Sequence, residues 1–259
     1  LPEASPDTKL YWDLNDRPTN QRKPRPRQSQ RKRRLLSEHP HDLVSGIKSA
    51  FERTRPIKED GYLQPYKKML VDITASPKSL DKALSFANSL FNALEAAAHR
   101  VILGNQRERL SRVSVDGRET KNRQSGAHYQ PRWRPHQPTV AYIGKTAIGL
   151  AIIEMAEDVL FRYIGSGEYV RETEYLQRKA SQRNHSHTWM TTRPVPSGRL
   201  RLLAYSPYWQ IGWSRVWQEK IDQSLESDLQ SIISGIERGA FEVEREWQEV
   251  KRRDEMERL

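Results

Sequence analysis

The chain of 259 residues contains no cysteine. Structural disulfides, thiolate metal sites and cysteine nucleophiles are therefore excluded. No apolar run approaches the length that a membrane-spanning helix needs, and the opening residues lack the basic-then-apolar order of a signal peptide. These absences predict a cytoplasmic protein that does not contact membranes.

Catalytic motifs are also missing, because no Walker loop, G-x-S-x-G or G-x-G-x-x-G pattern occurs. Two sets of side chains resemble metal ligands, an acidic cluster and two histidine pairs: Glu154, Glu157, Asp158, His39, His41, His185 and His187. A metal-dependent nuclease needs such groups to converge on one ion, and no pattern brings them together. We therefore expect no enzyme activity, no catalytic residue, no metal and no cofactor. The alternative is a nuclease that uses Glu154 and Asp158 or the histidine pairs.

The chain has an excess of positive charge, +11 at neutral pH. Residues 17–34, the basic segment, contain nine Lys or Arg and no Asp or Glu. Its prolines favour an extended backbone. So many cations repel one another unless an anion neutralises them, and phosphate backbones do so with release of counterions. Seven of the nine are Arg, which favours bidentate contact with phosphate.

Two further segments are basic, residues 100–134 and residues 176–201. Trp133 lies between two arginines in a polar loop, which favours contact with nucleic acid, although burial of an anchoring Trp is an alternative. The predicted nucleic-acid contacts are Arg17, Arg22, Lys23, Arg25, Arg27, Arg31, Lys32, Arg33, Arg34, Arg132, Trp133, Arg134 and Arg183. We expect them to contact the phosphates of DNA without reading base sequence.

The pattern of apolar residues predicts three regions. Residues 1–36 form a basic, Pro-rich arm or linker, residues 37–238 an α+β domain, and residues 239–259 a charged helical extension. Within the domain, apolar residues at 3,4 spacing predict a helix over residues 79–99, between strands in KMLVDITASP and RVIL.

The second half of the domain is predicted to be rich in strands. TAIGLAIIEM and DVLFRYI indicate two strands joined by a turn at AED, YIGSGEY a hairpin turn, residues 176–198 a loop, and RLRLLAY a strand. From Ser214, Trp and aliphatic residues at i, i+4 spacing predict a long C-terminal helix on the sheet. The fold is therefore α+β, a mixed or antiparallel sheet packed by a central helix and a long C-terminal helix, with a disordered basic N-terminal arm.

Several stretches resemble the C-terminal region of uncharacterised bacterial proteins that begin with a small helix-turn-helix. These stretches are LVDITASPKSLDKALSFANSLFNALEAAAHRV, VPSGRLRLLAY and GWSRVWQEKIDQSLESDLQSIISGI. KLYWDLNDRP is similar to the Gly-Tyr-Trp segment of that group, with Leu10 in place of the Gly. The resemblance implies work related to DNA only through the helix-turn-helix, which this chain does not contain, and it transfers no functional residue.

The charge and the missing motifs together predict a non-catalytic DNA-binding or DNA-associated accessory protein. Its basic arm and basic loops would contact the phosphate backbone. A third alternative, besides the nuclease, is a scaffold of a multi-subunit bacterial complex that binds a protein partner through the charged C-terminal helix.

Overall fold

A computed structural model describes residues 40–57, 61–119, 132–179 and 189–258. All of them belong to one compact unit, Leu36–Leu259. The predicted basic N-terminal arm lies outside the described residues, together with the nine contacts predicted in it. Arg183, the contact predicted in the second basic loop, lies outside them as well.

The described part of the chain forms four α-helices and seven β-strands. The helices are α1 (Lys48–Glu52), α2 (Leu80–Ala96), α3 (Glu172–Lys179) and α4 (Leu229–Arg258). The strands are β1 (Ile73–Thr74), β2 (Arg100–Leu103), β3 (Thr139–Ile143), β4 (Thr146–Gly165), β5 (Glu168–Arg171), β6 (Met190–Tyr205) and β7 (Ser214–Gln218).

All seven strands belong to one sheet, in which β2, β3, β4, β6 and β7 are neighbours in that order. These neighbours are antiparallel, whereas β1 pairs with β4 in parallel and β5 pairs with the far end of β4 in an antiparallel hairpin. The predicted α+β fold with a mixed sheet is thus confirmed. The predicted turn in YIGSGEY is also confirmed, because Gly165, Ser166 and Gly167 all adopt positive φ between β4 and β5.

Helices α2 and α4 supply the apolar face that covers the sheet. The 3,4 spacing of α2 places Leu90 and Leu94 in the core with no exposed surface. Helix α4 buries Ile232 and Ile236 in the same cluster. It continues through Gly239 to Arg258 without a break, so the predicted charged extension is the last part of this helix.

The predicted turn at AED is wrong, because β4 runs through it as a single strand of 20 residues. Its register against β6 shifts between Glu154 and Ala156, which marks a β-bulge. Residues Thr146 to Ala156 are buried on both faces of the sheet. Apolar and polar residues therefore do not alternate there, and the sequence does not show where the strand ends. The loop predicted over residues 176–198 is likewise wrong where described, since α3 and β6 occupy both of its ends.

The helix predicted from Ser214 is wrong over its first part, because Ser214–Gln218 is β7 and α4 begins at Leu229. A spacing of four residues returns to the same face in a strand as well as in a helix, so Trp213 and Trp217 fitted both patterns. Both are half-buried and pack against the core. Ile221, which the helix would have buried, is 88% exposed.

Candidate nucleic-acid interface

Trp133 is buried, with 5% of its surface exposed. Its Nε1–H donates a hydrogen bond of 2.9 Å to the carbonyl of Pro65, and its ring meets the ring of Phe51 edge-on at 5.8 Å between centroids. A nucleic-acid base has no access to this ring. Trp133 is therefore a buried residue that anchors its loop, which was the alternative to contact with nucleic acid. We leave it out of the direct contacts proposed below.

Arg132 is held against the protein by aromatic packing. Its guanidinium carbon lies 3.9 Å from the centroid of the Tyr62 ring, and it contacts Gly117 so closely that a Cβ there would overlap it. The hydroxyl of Tyr62 donates a hydrogen bond of 3.1 Å to the carbonyl of Glu154, next to the β4 bulge. Arg132 is thus half-buried where β4 changes register, and we also leave it out of the proposed contacts.

Arg134 is exposed, and the fold brings it to two cations that lie far from it in sequence. Lys68 Nζ donates a hydrogen bond of 3.2 Å to the carbonyl of Arg134 and lies 5.2 Å from the centroid of the Trp133 ring. Partial burial, followed by the charges of Arg55 and Arg134, lowers the pKa of Lys68 below its ordinary value. We call Arg55, Lys68 and Arg134 the cationic cluster.

The cationic cluster is built by backbone pairing of two short segments. Arg55 N–H donates to the carbonyl of Gln64 at 3.0 Å, and Tyr66 N–H donates to the carbonyl of Arg53 at 3.3 Å. The guanidinium of Arg55 consequently lies 5.8 Å from the ring centroid of Tyr66, a side chain that is 62% exposed. In the described part of the chain, none of the three cluster residues forms an ion pair.

Sequence reasoning found Arg134 but missed Arg55 and Lys68. Arg55 lies in RTRP and Lys68 in YKKM. Each stretch contains only two cations, which is too few to identify a basic segment in the sequence. Only the pairing of residues 53–55 with residues 64–66, and the insertion of Trp133 beneath them, makes the three cations neighbours.

The carboxylates of the nuclease alternative do not form a shared site. Glu154 is 1% exposed and accepts hydrogen bonds from Ser76 N–H at 2.6 Å, Ser79 Oγ–H at 2.8 Å and Gly198 N–H at 2.9 Å. Glu157 pairs with Arg199 at 2.9 Å, and Asp158 is exposed farther along β4. Glu154 therefore joins three segments of the fold, which is a structural role.

Of the four histidines in the two pairs, the structure describes only His41. Its Nδ1 accepts a hydrogen bond of 3.1 Å from Leu43 N–H, and its Nε2 lies 3.1 Å from Oε1 of Glu95. His39, His185 and His187 lie outside the described residues. Among the residues that are described, no three His, Asp or Glu side chains are grouped in a way that could hold a metal ion.

Within residues 40–57, 61–119, 132–179 and 189–258, no helix has both the length and the apolar character that crossing a membrane requires. Comparisons with family models, curated proteins and solved structures found no match to this chain. The resemblance to the C-terminal region of bacterial helix-turn-helix proteins therefore stays a prediction.

Proposed function

We propose that the protein is a non-catalytic, nucleic-acid-binding accessory protein that contacts the phosphate backbone, with DNA as the expected ligand. The basic segment at residues 17–34 and the cationic cluster supply the contacts. One observation carries the proposal: Lys68 is close enough to Arg55 and Arg134 for both charges to act on it, and no carboxylate pairs with any of the three in the described part of the chain.

The physical argument is one of uncompensated repulsion. Positive charges that lie close together repel one another and destabilise the folded state, and protein carboxylates usually offset such repulsion. A phosphate placed among Arg55, Lys68 and Arg134 would reverse it, because each cation then gains an opposite charge within contact distance. The exposed ring of Tyr66 beside Arg55 adds a surface for the sugar or base.

A salt titration tests this proposal. We compare the intact chain with the triple variant Arg55→Ala/Lys68→Ala/Arg134→Ala by fluorescence anisotropy on a DNA duplex. Each lost phosphate contact reduces the slope of log K against log salt by about 0.9, so we expect the slope to fall by about 3 in magnitude. Affinity should decrease alike for all duplex sequences, because phosphate contacts do not read bases.

The matched control removes three exposed cations elsewhere, in Arg107→Ala/Lys220→Ala/Arg245→Ala. Both triple variants have the same net charge. If the control flattens the salt dependence as much as the cluster variant does, net charge alone explains binding and the cationic cluster is not a site.

The nuclease alternative has its own test, incubation of the protein with plasmid and Mg²⁺, Mn²⁺ or Zn²⁺. We expect no cleavage, because Glu154 is saturated by protein donors. Cleavage that disappears in Glu154→Gln or His187→Ala would establish a nuclease.

The scaffold alternative is supported by two apolar side chains on the charged part of α4. Phe241 is 73% exposed and Met256 is 76% exposed. A protein partner that covers them would remain bound during co-purification after nuclease treatment. It would be lost in Phe241→Ser/Met256→Ser, whereas a partner held through nucleic acid would be released by the nuclease.

A further inference from the structure

The sheet continues past the β4 bulge as a three-stranded extension, made of residues 157–165 of β4, β5, and residues 190–196 of β6. Helix α3 packs on one of its two faces. There, Arg162 makes two hydrogen bonds to Glu172, at 2.7 and 2.6 Å, and its guanidinium lies 4.6 Å from the ring centroid of Tyr175. Val170, which pairs with Arg162 across the strands, is buried on this face.

The opposite face of the extension, which we call the open face, carries aromatic and basic side chains, most of them half-buried. Successive strand residues alternate between faces, and residues paired across antiparallel strands share a face. The pairs Tyr163–Tyr169, Phe161–Arg171, Phe161–Thr191 and Val159–Arg193 therefore lie opposite Arg162. Trp189, which directly precedes β6, joins them because Tyr163 N–H donates a hydrogen bond of 2.9 Å to its carbonyl.

The aromatic rings of the open face contact one another, and one pair of them is stacked. The rings of Tyr163 and Trp189 are 3.9 Å apart between centroids at an angle of 21°, and the rings of Tyr163 and Tyr169 are 5.2 Å apart. The guanidinium of Arg193 lies 3.8 Å from the centroid of Tyr169. Cross-strand stacking stabilises the extension, yet it leaves Trp189 with 53% of its surface exposed.

The two faces of the extension carry different charged side chains. Arg171 and Arg193 lie on the open face, and Arg171 is exposed. Asp158 and Glu172 lie on the side of α3. Glu157 shares the side of Val159 but pairs with Arg199, at 2.9 Å. The open face thus combines the exposed ring of Trp189 with the positive charge of Arg171, which forms no ion pair within the described part of the chain. A solvated sheet face ordinarily carries polar side chains instead.

We infer that the open face is a stacking platform for single-stranded nucleic acid, on which a base stacks against Trp189 while Arg171 contacts the adjoining phosphate. The inference rests on the proposed function and adds a substrate class to it. Bases within a duplex are stacked on one another and cannot reach a protein ring. A flat aromatic surface flanked by arginines accepts unpaired bases of any sequence, because every base has a π-face.

The test measures binding of the full chain to labelled oligo(dT), oligo(U) and a DNA duplex, each of about 20 nucleotides or base pairs. Trp189→Ala should weaken single-strand binding about tenfold or more, since one stacked base contributes that much. Duplex binding should not change, because phosphate contacts carry it. Trp189→Phe keeps an aromatic face and should restore most of the lost single-strand affinity. Whichever of oligo(dT) and oligo(U) binds with higher affinity shows whether the platform prefers single-stranded DNA or RNA.

Trp209→Ala is the matched control, because Trp209 is 83% exposed and lies outside the extension. We expect it to bind all three ligands as the unmodified chain does. Cross-linking of 5-iodouracil oligonucleotides to the unmodified chain gives a second readout that does not depend on the stability of any variant. The cross-link should fall on the peptide that contains Trp189 or Tyr163.

The outcomes separate this inference from the proposed function. If Trp189→Ala binds single strands as tightly as the unmodified chain, or the cross-link falls outside the extension, the platform is wrong even though duplex binding by the cationic cluster stands. If neither single strands nor duplex bind, the proposed function and the platform fail together.

Discussion

The pKa of Lys68 depends on its surroundings in the cationic cluster. Its pKa is lowered by partial burial and by Arg55 and Arg134, whereas the pKa of Lys48 is raised by its hydrogen bond and charge contact with Asp81. Both side chains are exposed to solvent. Only the neutral amine reacts with acylating reagents, so the two lysines should respond differently to pH.

We predict that acylation of Lys68 reaches half its maximal rate at a lower pH than acylation of Lys48, measured by peptide mass spectrometry across a pH series. Arg134→Ala should move the Lys68 midpoint upward, because a neighbouring positive charge is removed. Bound nucleic acid should also raise the pKa of Lys68. Binding then takes up protons, and affinity falls as pH rises through the interval between the two pKa values. Identical midpoints for Lys68 and Lys48 would contradict the electrostatic account.

Glu154 is the second residue whose role the fold determines. We predict that Glu154→Gln lowers the free energy of unfolding by about 1–3 kcal/mol, because an amide nitrogen cannot accept one of the buried hydrogen bonds from Ser76, Ser79 and Gly198. Urea denaturation measures the loss. Asp158→Asn, an exposed change on the same strand, is the control and should stay within about 0.5 kcal/mol of the unmodified protein.

At the scale of elements, α4 docks on β7 through two glycines. Gly235 faces the ring of Trp217, and Gly239 faces the ring of Trp213, so closely in each case that a Cβ would overlap the indole. Trp213 is also fixed by its Nε1–H, which donates a hydrogen bond of 2.6 Å to Glu242. The helix approaches the strand only because these two positions carry no side chain.

We predict that Gly239→Ala destabilises the protein by about 1–3 kcal/mol through overpacking. Alanine would otherwise stabilise a helix by about 1 kcal/mol relative to glycine. In a Trp213→Ala background the overlap is gone, so the same glycine substitution should become neutral or stabilising. A double-mutant cycle of denaturation free energies measures this coupling. Equal effects of Gly239→Ala in both backgrounds would show that the indole does not limit the approach.

At the scale of the whole molecule, charge is distributed very unevenly along the chain. The net charge is +11, and nine cations without a carboxylate lie in residues 17–34. The two proposed sets of phosphate contacts therefore differ in kind. The basic segment relies on charge density alone, and the cationic cluster relies on an arrangement of three residues built by the fold.

We predict that deleting residues 17–34 weakens binding to all duplex sequences alike. If about six of the nine cations contact phosphate, the segment contributes about −5 to the slope of log K against log salt. A salt titration of intact and truncated chains should show this flattening. Equal affinity and equal slope would mean that the segment is only a solvated linker.

Elements that depend on residues close together in the chain could be predicted from the sequence. Helix α2 follows from apolar residues at 3,4 spacing between Leu80 and Ala96, and the turn at Gly165–Gly167 follows from glycines that tolerate positive φ. Both depend on interactions among residues close together in the chain. Binding of phosphate by residues 17–34 stays a prediction of the same kind, because charge density is also a local property.

Features that depend on pairing between distant segments were decided by the tertiary structure. The spacing of Trp213 and Trp217 suits a helix or a strand equally, and only pairing of β7 with β6 places Trp217 in a strand. Glu154 becomes structural because Ser76, Ser79 and Gly198 converge on it from two other parts of the chain. Arg134 acquires Arg55 and Lys68 as neighbours through Trp133, whose burial is set by Phe51 and Pro65. Residue type and spacing therefore determined the local elements and the charge, whereas long-range packing alone brought these side chains together.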